Sequence, residues 1–269
     1  MIYDFHTHSV NSDGFGTVDE LCSFALEKGV SGFAVTDHAD MEYYEERDTY
    51  NRIKKSIADV LEAREKYKGR LELYTGIELG EYLWSPEKAK EVLSLGPLDV
   101  VLCSVHCSLW EKYQRPYSKI LFFEEEVTDK EIEEYLDDYF KILIETSKAF
   151  DYDILAHIVC PARYITGRYG RKTELMNYKD EIAEILRTVI DKGASLEMNV
   201  AGFKKYTMQS EEIFSLYRDL GGRNVTIGQD THKPHMIAEN VGLGIEMLRS
   251  LGFDRYSIYK NRERYEVKI

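Results

Sequence analysis

The feature that most restricts the fold is an alternation repeated along the chain, in which a short apolar run is followed by a longer amphipathic segment. Runs at 2–5, 32–36, 71–77, 99–105, 153–156, 195–199 and 224–228, with a last one near 256–259, are too short for helices and read as strands. Helical spacing fills the intervals at 18–28, 52–67, 86–95, 129–149, 174–192, 210–220 and 238–251. Strands separated by helices cannot pair as hairpins, so they lie parallel, and their unbroken apolar character fits a sheet covered on both faces. Seven or eight such units in 269 residues predict a single αβ barrel over 1–269 rather than an open doubly wound sheet. No glycine-rich phosphate loop follows the first run, and Gly242-Leu243-Gly244 falls inside a helical segment. Gly29, Gly69, Gly96, Gly193 and Gly221 close helical segments as left-handed caps, while Thr128 and Ser210 open helices with acidic first turns.

Charge narrows the partners. A net charge of −13 lacks the positive footprint that nucleic acid requires, though it leaves small phosphorylated ligands open once metal ions invert the local field. With no apolar stretch of membrane-spanning length and no signal pattern, a cytoplasmic setting is expected. The four cysteines have no C-x-x-C spacing, which argues against a disulfide framework or a zinc ribbon.

Ligand chemistry concentrates where the strands end. The first runs into His6 and His8, which share one face of an extended backbone. Asp37 and His38 follow the second, Glu78 the third, His106 the fourth and His157 the fifth. The sixth ends in Glu197-Met198-Asn199, and Gln229, Asp230 and His232 follow the seventh. Six of the seven histidines therefore fall on the rim where αβ barrels build their sites. The donors are nitrogen and oxygen only, which suits zinc, manganese or iron. With Asp13 added they are too many for one ion, so two or three are expected, and Glu78 is placed to bridge. Ions sharing a hydroxide can clamp both sides of an in-line phosphoryl displacement. The irregular stretch 107–128 holds Trp110, Tyr113, Tyr117, Phe122 and Phe123, and reads equally as a binding loop or as a surface excursion.

In order and spacing, His6-Thr7-His8, Ser12-Asp13-Gly14, Thr36-Asp37-His38, Gly76-Ile77-Glu78, Ser104-Val105-His106, Leu155-Ala156-His157 and Gln229-Asp230-Thr231-His232 resemble the motifs of the PHP (polymerase and histidinol phosphatase) superfamily. Thr36-Asp37-His38-Ala39, the run from Glu197 to Gly202 and the tail from Gly252-Phe253 are most similar to its histidinol-phosphate phosphatases. The resemblance implies a distorted (β/α)7 barrel with a trinuclear site. In it, His6, His8, Glu78 and Asp230 hold one ion, Glu78, His106 and His157 a second, and His38, His232 and Asp13 a third. It further implies a phosphomonoesterase that cleaves L-histidinol phosphate to L-histidinol and phosphate with a metal-bridging hydroxide, with Glu78, Asp230 and Arg163 in catalysis.

Arg163 is the expected phosphate ligand, since guanidinium binds phosphate bidentately. Lys204 stands where the family commonly has arginine, and 206–210 replaces its usual Tyr-Pro-Ser. Both departures bear on substrate identity. Asp40 and Glu111 are candidates to meet the substrate's ammonium. Asp37, Asp230 or a metal-activated water are candidates to protonate the leaving alkoxide, and His235 reads as a surface residue. The alternatives are a phosphoesterase for another small phosphomonoester, such as a sugar phosphate or a nucleotide, and a metal-binding domain without catalysis.

Overall fold

The computed structural model describes residues 1–107, 128–168, 170–171, 173–201 and 207–269. Seven parallel strands stand in chain order: β1 (Tyr3–Thr7), β2 (Gly32–Asp40), β3 (Glu72–Gly80), β4 (Val100–Ser104), β5 (Ile154–Leu155), β6 (Ser195–Asn199) and β7 (Val225–Gly228). An isolated parallel bridge, Thr7 to Thr231, joins the two edges, with His8 N–H donating to Thr231 O at 2.8 Å. The result is a nearly closed barrel. Its strands are buried on both faces, as their continuous apolar character requires.

The outer layer comprises α1 (Val18–Glu27), α2 (Thr49–Lys66), α3 (Pro86–Leu93), α4 (Asp129–Ala149), the single turn α5 (Cys160–Ala162), α6 (Lys179–Asp191), α7 (Thr207–Asp219) and α8 (Val241–Ser250). Capping boxes at Thr17/Glu20 and Thr128/Glu131 fix the starts of α1 and α4. The five glycines expected as caps all adopt positive φ. Several helix starts differ from expectation, α2 beginning at Thr49 rather than Arg52 and α8 at Val241 rather than Ala238. The segment expected at 174–192 divides into a 3-10 turn at Leu175–Tyr178 and α6, while α7 begins at Thr207 rather than at Ser210.

The expected eighth strand leaves the barrel. Arg255–Lys260 (β8) pairs antiparallel with Glu263–Lys268 (β9), turning at Asn261 and Arg262, both left-handed with φ of 52° and 65°. α8 could serve as a crossover, but the β7 side of the sheet already meets β1 through the Thr7–Thr231 bridge, and the two-residue turn pairs the last apolar run with Glu263–Lys268 as a hairpin. Buried Tyr256 accepts from Tyr3 N–H at 3.1 Å, and Tyr259 donates to Asp153 O at 2.9 Å, which anchors the hairpin to β1 and to the residue preceding β5. Among the described residues no helix is long and apolar enough to cross a membrane, and all four cysteines are free and buried.

Candidate metal centre

The C-terminal strand ends gather the predicted donors around Glu78. Its Oε1 lies 2.6 Å from His157 Nε2 and 3.1 Å from His106 Nε2. Its Oε2 lies 3.0 Å from His38 Nδ1, 3.1 Å from His6 Nε2 and 3.5 Å from His8 Nε2. The His6 and His8 rings are 5.0 Å apart on one face of β1, as the i, i+2 spacing requires. Asp230 Oδ1 completes this side at 3.3 Å from His8 Nε2. Asp230 adopts φ of 55°, a strained conformation for a residue with a Cβ, in the turn that leads from β7 to His232. Asp13, on the loop after β1, lies 3.3 Å from His232 Nε2 and 3.6 Å from His38 Nε2.

These donors form overlapping groups whose atoms lie within 4.8 Å of one another: His8/Asp13/His38/His232, His6/Glu78/His157, His6/His8/Asp230 and His38/Asp40/His106. The fit to metal ions rests on polar atoms that are buried without a hydrogen-bond partner: His6 Nε2, both ring nitrogens of His8, His38 Nδ1 and Glu78 Oε2. Lone pairs buried this way are costly unless something accepts them, and several converging at ligand distances suit cations.

The electrostatics divide the donors. Burial opposes ionisation of Glu78, but His6, His38, His106 and His157 together hold its pKa well below the usual carboxylate range. Burial, reinforced by His38 and His232, pushes His8 down to about 4, which leaves a neutral imidazole with a free lone pair. His38 is raised to about 9; burial opposes protonation, while Asp40 and Glu78 favour it. For Asp230, burial is outweighed by Arg163 and His6, which hold its carboxyl well below the ordinary value.

Arg163 follows α5 and donates to Asp230 Oδ2 at 2.7 Å and to Asn199 Oδ1 at 2.9 Å. It lines a cavity of about 230 Å³ together with Asp13, His38, His106, His157 and His232. Asp40 also lines this cavity, with Oδ2 paired to Arg47 at 3.2 Å. Asp37 does not act as expected. Its oxygens accept from Ser9 N–H, Ser9 Oγ and Ser12 Oγ, each at 2.6 Å, and from Ser56 Oγ at 2.5 Å, so it staples the loop bearing Asp13 and has no oxygen left to serve as an acid. Glu111, Lys204 and the aromatic residues Trp110, Tyr113, Tyr117, Phe122 and Phe123 lie outside the described residues.

Sequence reasoning missed the supports behind the imidazoles. Glu197 Oε1 accepts from His6 Nδ1 at 2.6 Å, and Oε2 accepts from His157 N–H at 2.8 Å. This fixes the proton of His6 on Nδ1 and leaves Nε2 toward Glu78. A Cβ at Gly228 would lie 2.2 Å from Glu197 Oε1, so the pair needs glycine there. Asp4 is fully buried and accepts from the N–H groups of His6, Gln229 and Ala238, tying the start of the site to β7. The available signal was an acid inside an apolar strand, whose burial demands partners.

A parallel barrel with histidine and carboxylate donors along its C-terminal rim defines a rim-site barrel protein of the metal-binding kind. The chain belongs to the PHP domain family, whose model matches residues 4–201. It is 26% identical over 275 residues to a probable histidinol-phosphatase of Clostridium acetobutylicum, covering 98% of this chain and 100% of that one. It is 24% identical to the histidinol-phosphatase of Lactococcus lactis, over 93% and 88% of the two chains. The crystal structure of the Lactococcus lactis histidinol phosphate phosphatase, complexed with zinc, L-histidinol and phosphate, superposes with a TM-score of 0.79 at 19% identity over 98% of both chains. A putative histidinol phosphatase from Listeria monocytogenes gives 0.72 at 16% identity, over 90% of this chain and 99% of that one.

Proposed function

We propose that this chain is a metal-dependent phosphomonoesterase that hydrolyses L-histidinol phosphate to L-histidinol and inorganic phosphate. The observation that carries the reading is one cavity in which the imidazoles of His38, His106, His157 and His232 meet the Arg163 guanidinium. Similarity to histidinol-phosphatases along almost their whole length supports the choice of substrate. Zinc, manganese or iron fits the nitrogen and oxygen donors, with two or three ions held as follows. His6, His8, Glu78 and Asp230 would hold one, Glu78 with His106 and His157 a second, and His38, His232 and Asp13 a third. Ions bound there supply Lewis acidity and lower the pKa of water toward neutrality.

The chain's own groups do the rest. Arg163 binds phosphoryl oxygens, with its guanidinium oriented by Asp230 and Asn199. Glu78 stays anionic among its imidazoles and so would be a carboxylate donor to the ions. Neither aspartate expected to protonate the leaving alkoxide suits that role, because Asp37 is committed to the Asp13 loop and Arg163 holds Asp230 ionised. Glu42 lines the same cavity and offers a carboxylate to the substrate's ammonium. The enzyme's setting is the cytoplasm, where amino-acid biosynthesis runs.

The test is phosphate release by the metal-loaded protein from L-histidinol phosphate, measured beside a panel of sugar phosphates and nucleotides. Preference for histidinol phosphate is expected, with His106→Ala inactive and Arg163→Ala lowered in kcat/KM by about 100-fold, the loss of roughly two charge-assisted hydrogen bonds. Activity centred on another phosphomonoester would sink the substrate assignment, and loaded but inert protein would sink the reading as an enzyme.

A further inference from the structure

Asp40 ends β2 in a row that runs Asp40, Gly80, Ser104 across β2, β3 and β4. Two residues beyond Ser104 stands His106, and the two side chains meet over the glycine between them. A Cβ built on Gly80 would lie 2.5 Å from Asp40 Oδ1 and 3.2 Å from His106 Nδ1, so the meeting exists only because that position lacks a side chain. Gly80 is not among the left-handed glycines, so backbone conformation does not demand glycine there; the approach of the two side chains does. Asp40 is 7% exposed, and its two oxygens are divided. Oδ2 pairs with Arg47 Nη1 at 3.2 Å, and the Arg47 guanidinium lies 4.2 Å from the centre of the Tyr43 ring. Oδ1 faces His106 Nδ1 at 3.5 Å and His38 Nδ1 at 3.4 Å. His106 turns its other nitrogen, Nε2, to Glu78 Oε1 at 3.1 Å and His157 Nε2 at 3.3 Å, while His38 turns Nε2 to Asp13. His38 Nδ1 is shared with Glu78 Oε2 at 3.0 Å, which makes His106 the more exclusive partner of Asp40.

The geometry points to Asp40 as a positioning residue: its carboxylate, braced by Arg47 and admitted by Gly80, holds the proton of His106 on Nδ1 and so turns the Nε2 lone pair into the metal centre. A carboxylate behind an imidazole fixes both its tautomer and its ring orientation, and makes it a stronger donor. This role replaces the substrate contact expected of Asp40 from its place after His38. It rests on the reading of His106 as a metal ligand.

The test uses the full chain loaded with zinc, with two readouts: imidazole tautomers from two-bond proton–nitrogen spectra of histidine-labelled protein, and zinc retention against a competing chelator. In the unaltered chain His106 is expected to carry its proton on Nδ1. Asp40→Ala removes the acceptor, so the Nδ1 tautomer loses its dominance and one ion is released about 10–100-fold more readily. Asp40→Asn keeps one acceptor oxygen and recovers part of that loss. Gly80→Ala leaves every polar group in place but crowds Oδ1, and it reproduces the effect of Asp40→Ala even where that variant folds poorly. His106 protonated on Nε2 in the unaltered chain overturns the proposal, as does wild-type zinc retention in Asp40→Ala and Gly80→Ala together. Protein with the expected tautomer and ions but no phosphate release from histidinol phosphate supports the role of Asp40 while overturning the functional reading.

Discussion

Replacing Glu197 by glutamine separates what this side chain does for the fold from what it does for the ions. The carboxylate accepts at both oxygens, from His6 Nδ1 at 2.6 Å and from His157 N–H at 2.8 Å. Glutamine offers one acceptor and one donor. If its oxygen keeps the backbone N–H of His157, its amino group faces His6, which can accept only by moving its proton to Nε2. That nitrogen points at Glu78 Oε2, 3.1 Å away, so the buried contacts survive. Exchanging an ionic for a neutral hydrogen bond costs about 1 kcal/mol in the metal-free protein. The ions fare worse, because His6 enters two of the donor groups and its donating nitrogen is now protonated. A 10–100-fold loss of affinity is about 1.4–2.7 kcal/mol of ion-dependent stability at fixed free metal, or roughly 3–10 °C in Tm. The assay is thermal and urea unfolding of both proteins, with chelator and at buffered free zinc. A small gap with chelator, about 1 kcal/mol, that widens by about 1.4–2.7 kcal/mol in the zinc-loaded pair is expected. An equal gap in both conditions, or none in zinc, refutes the reasoning that Glu197 acts through the His6 tautomer.

Stripping the ions with a chelator should lower Tm by about 10 °C or more, since each ion held at 1,000 times its Kd contributes about 4 kcal/mol; calorimetry with and without chelator checks it, and coincident transitions would refute it. Asp37→Ala leaves Ser9 N–H and three serine hydroxyl groups without their acceptor, so a loss of about 3 kcal/mol in urea unfolding is expected, together with selective release of the ion nearest Asp13. Burial, aided by Glu72, pushes the Tyr3 phenol up to about 12, and burial does the same for Tyr217. Because these folded-state values lie above the ordinary 10, their contribution to stability is intact below pH 10 and is lost as pH rises toward 12. Tyrosinate absorbance should therefore show a class of phenols that ionise only with alkaline unfolding, and a single titration step near 10 would count against it.

The barrel and its ligand rim were legible because both are local signals. An apolar run announces a strand, and whatever follows it lies on the C-terminal rim whichever strand pairs beside it, so His6, His8, His38, Glu78, His106, His157, Asp230 and His232 could be placed without knowing the packing. Partner choice was not legible. Residues 256–259 read as a strand like the others, and only the bridge that closes the sheet at Thr7 and Thr231 and the turn at Asn261 and Arg262 send β8 to β9. Asp37, Asp40 and Glu197 all stand at or near strand ends, and sequence alone cannot say which turns to the cavity, to a serine loop or to the back of an imidazole. Those directions follow from cross-strand register and from the space left at Gly80 and Gly228, which exist only once the sheet is assembled.

The closing bridge between Thr7 and Thr231 has a consequence for folding. It brings His6 and His8 beside Asp230 and His232, more than 200 residues further along the chain. A contact of such sequence separation forms late in folding, because its loop-closure entropy is offset only when the intervening strands are in place. A chain whose β7 has not yet docked thus carries an open sheet edge and an incomplete cage, so full cation capture reports a closed barrel.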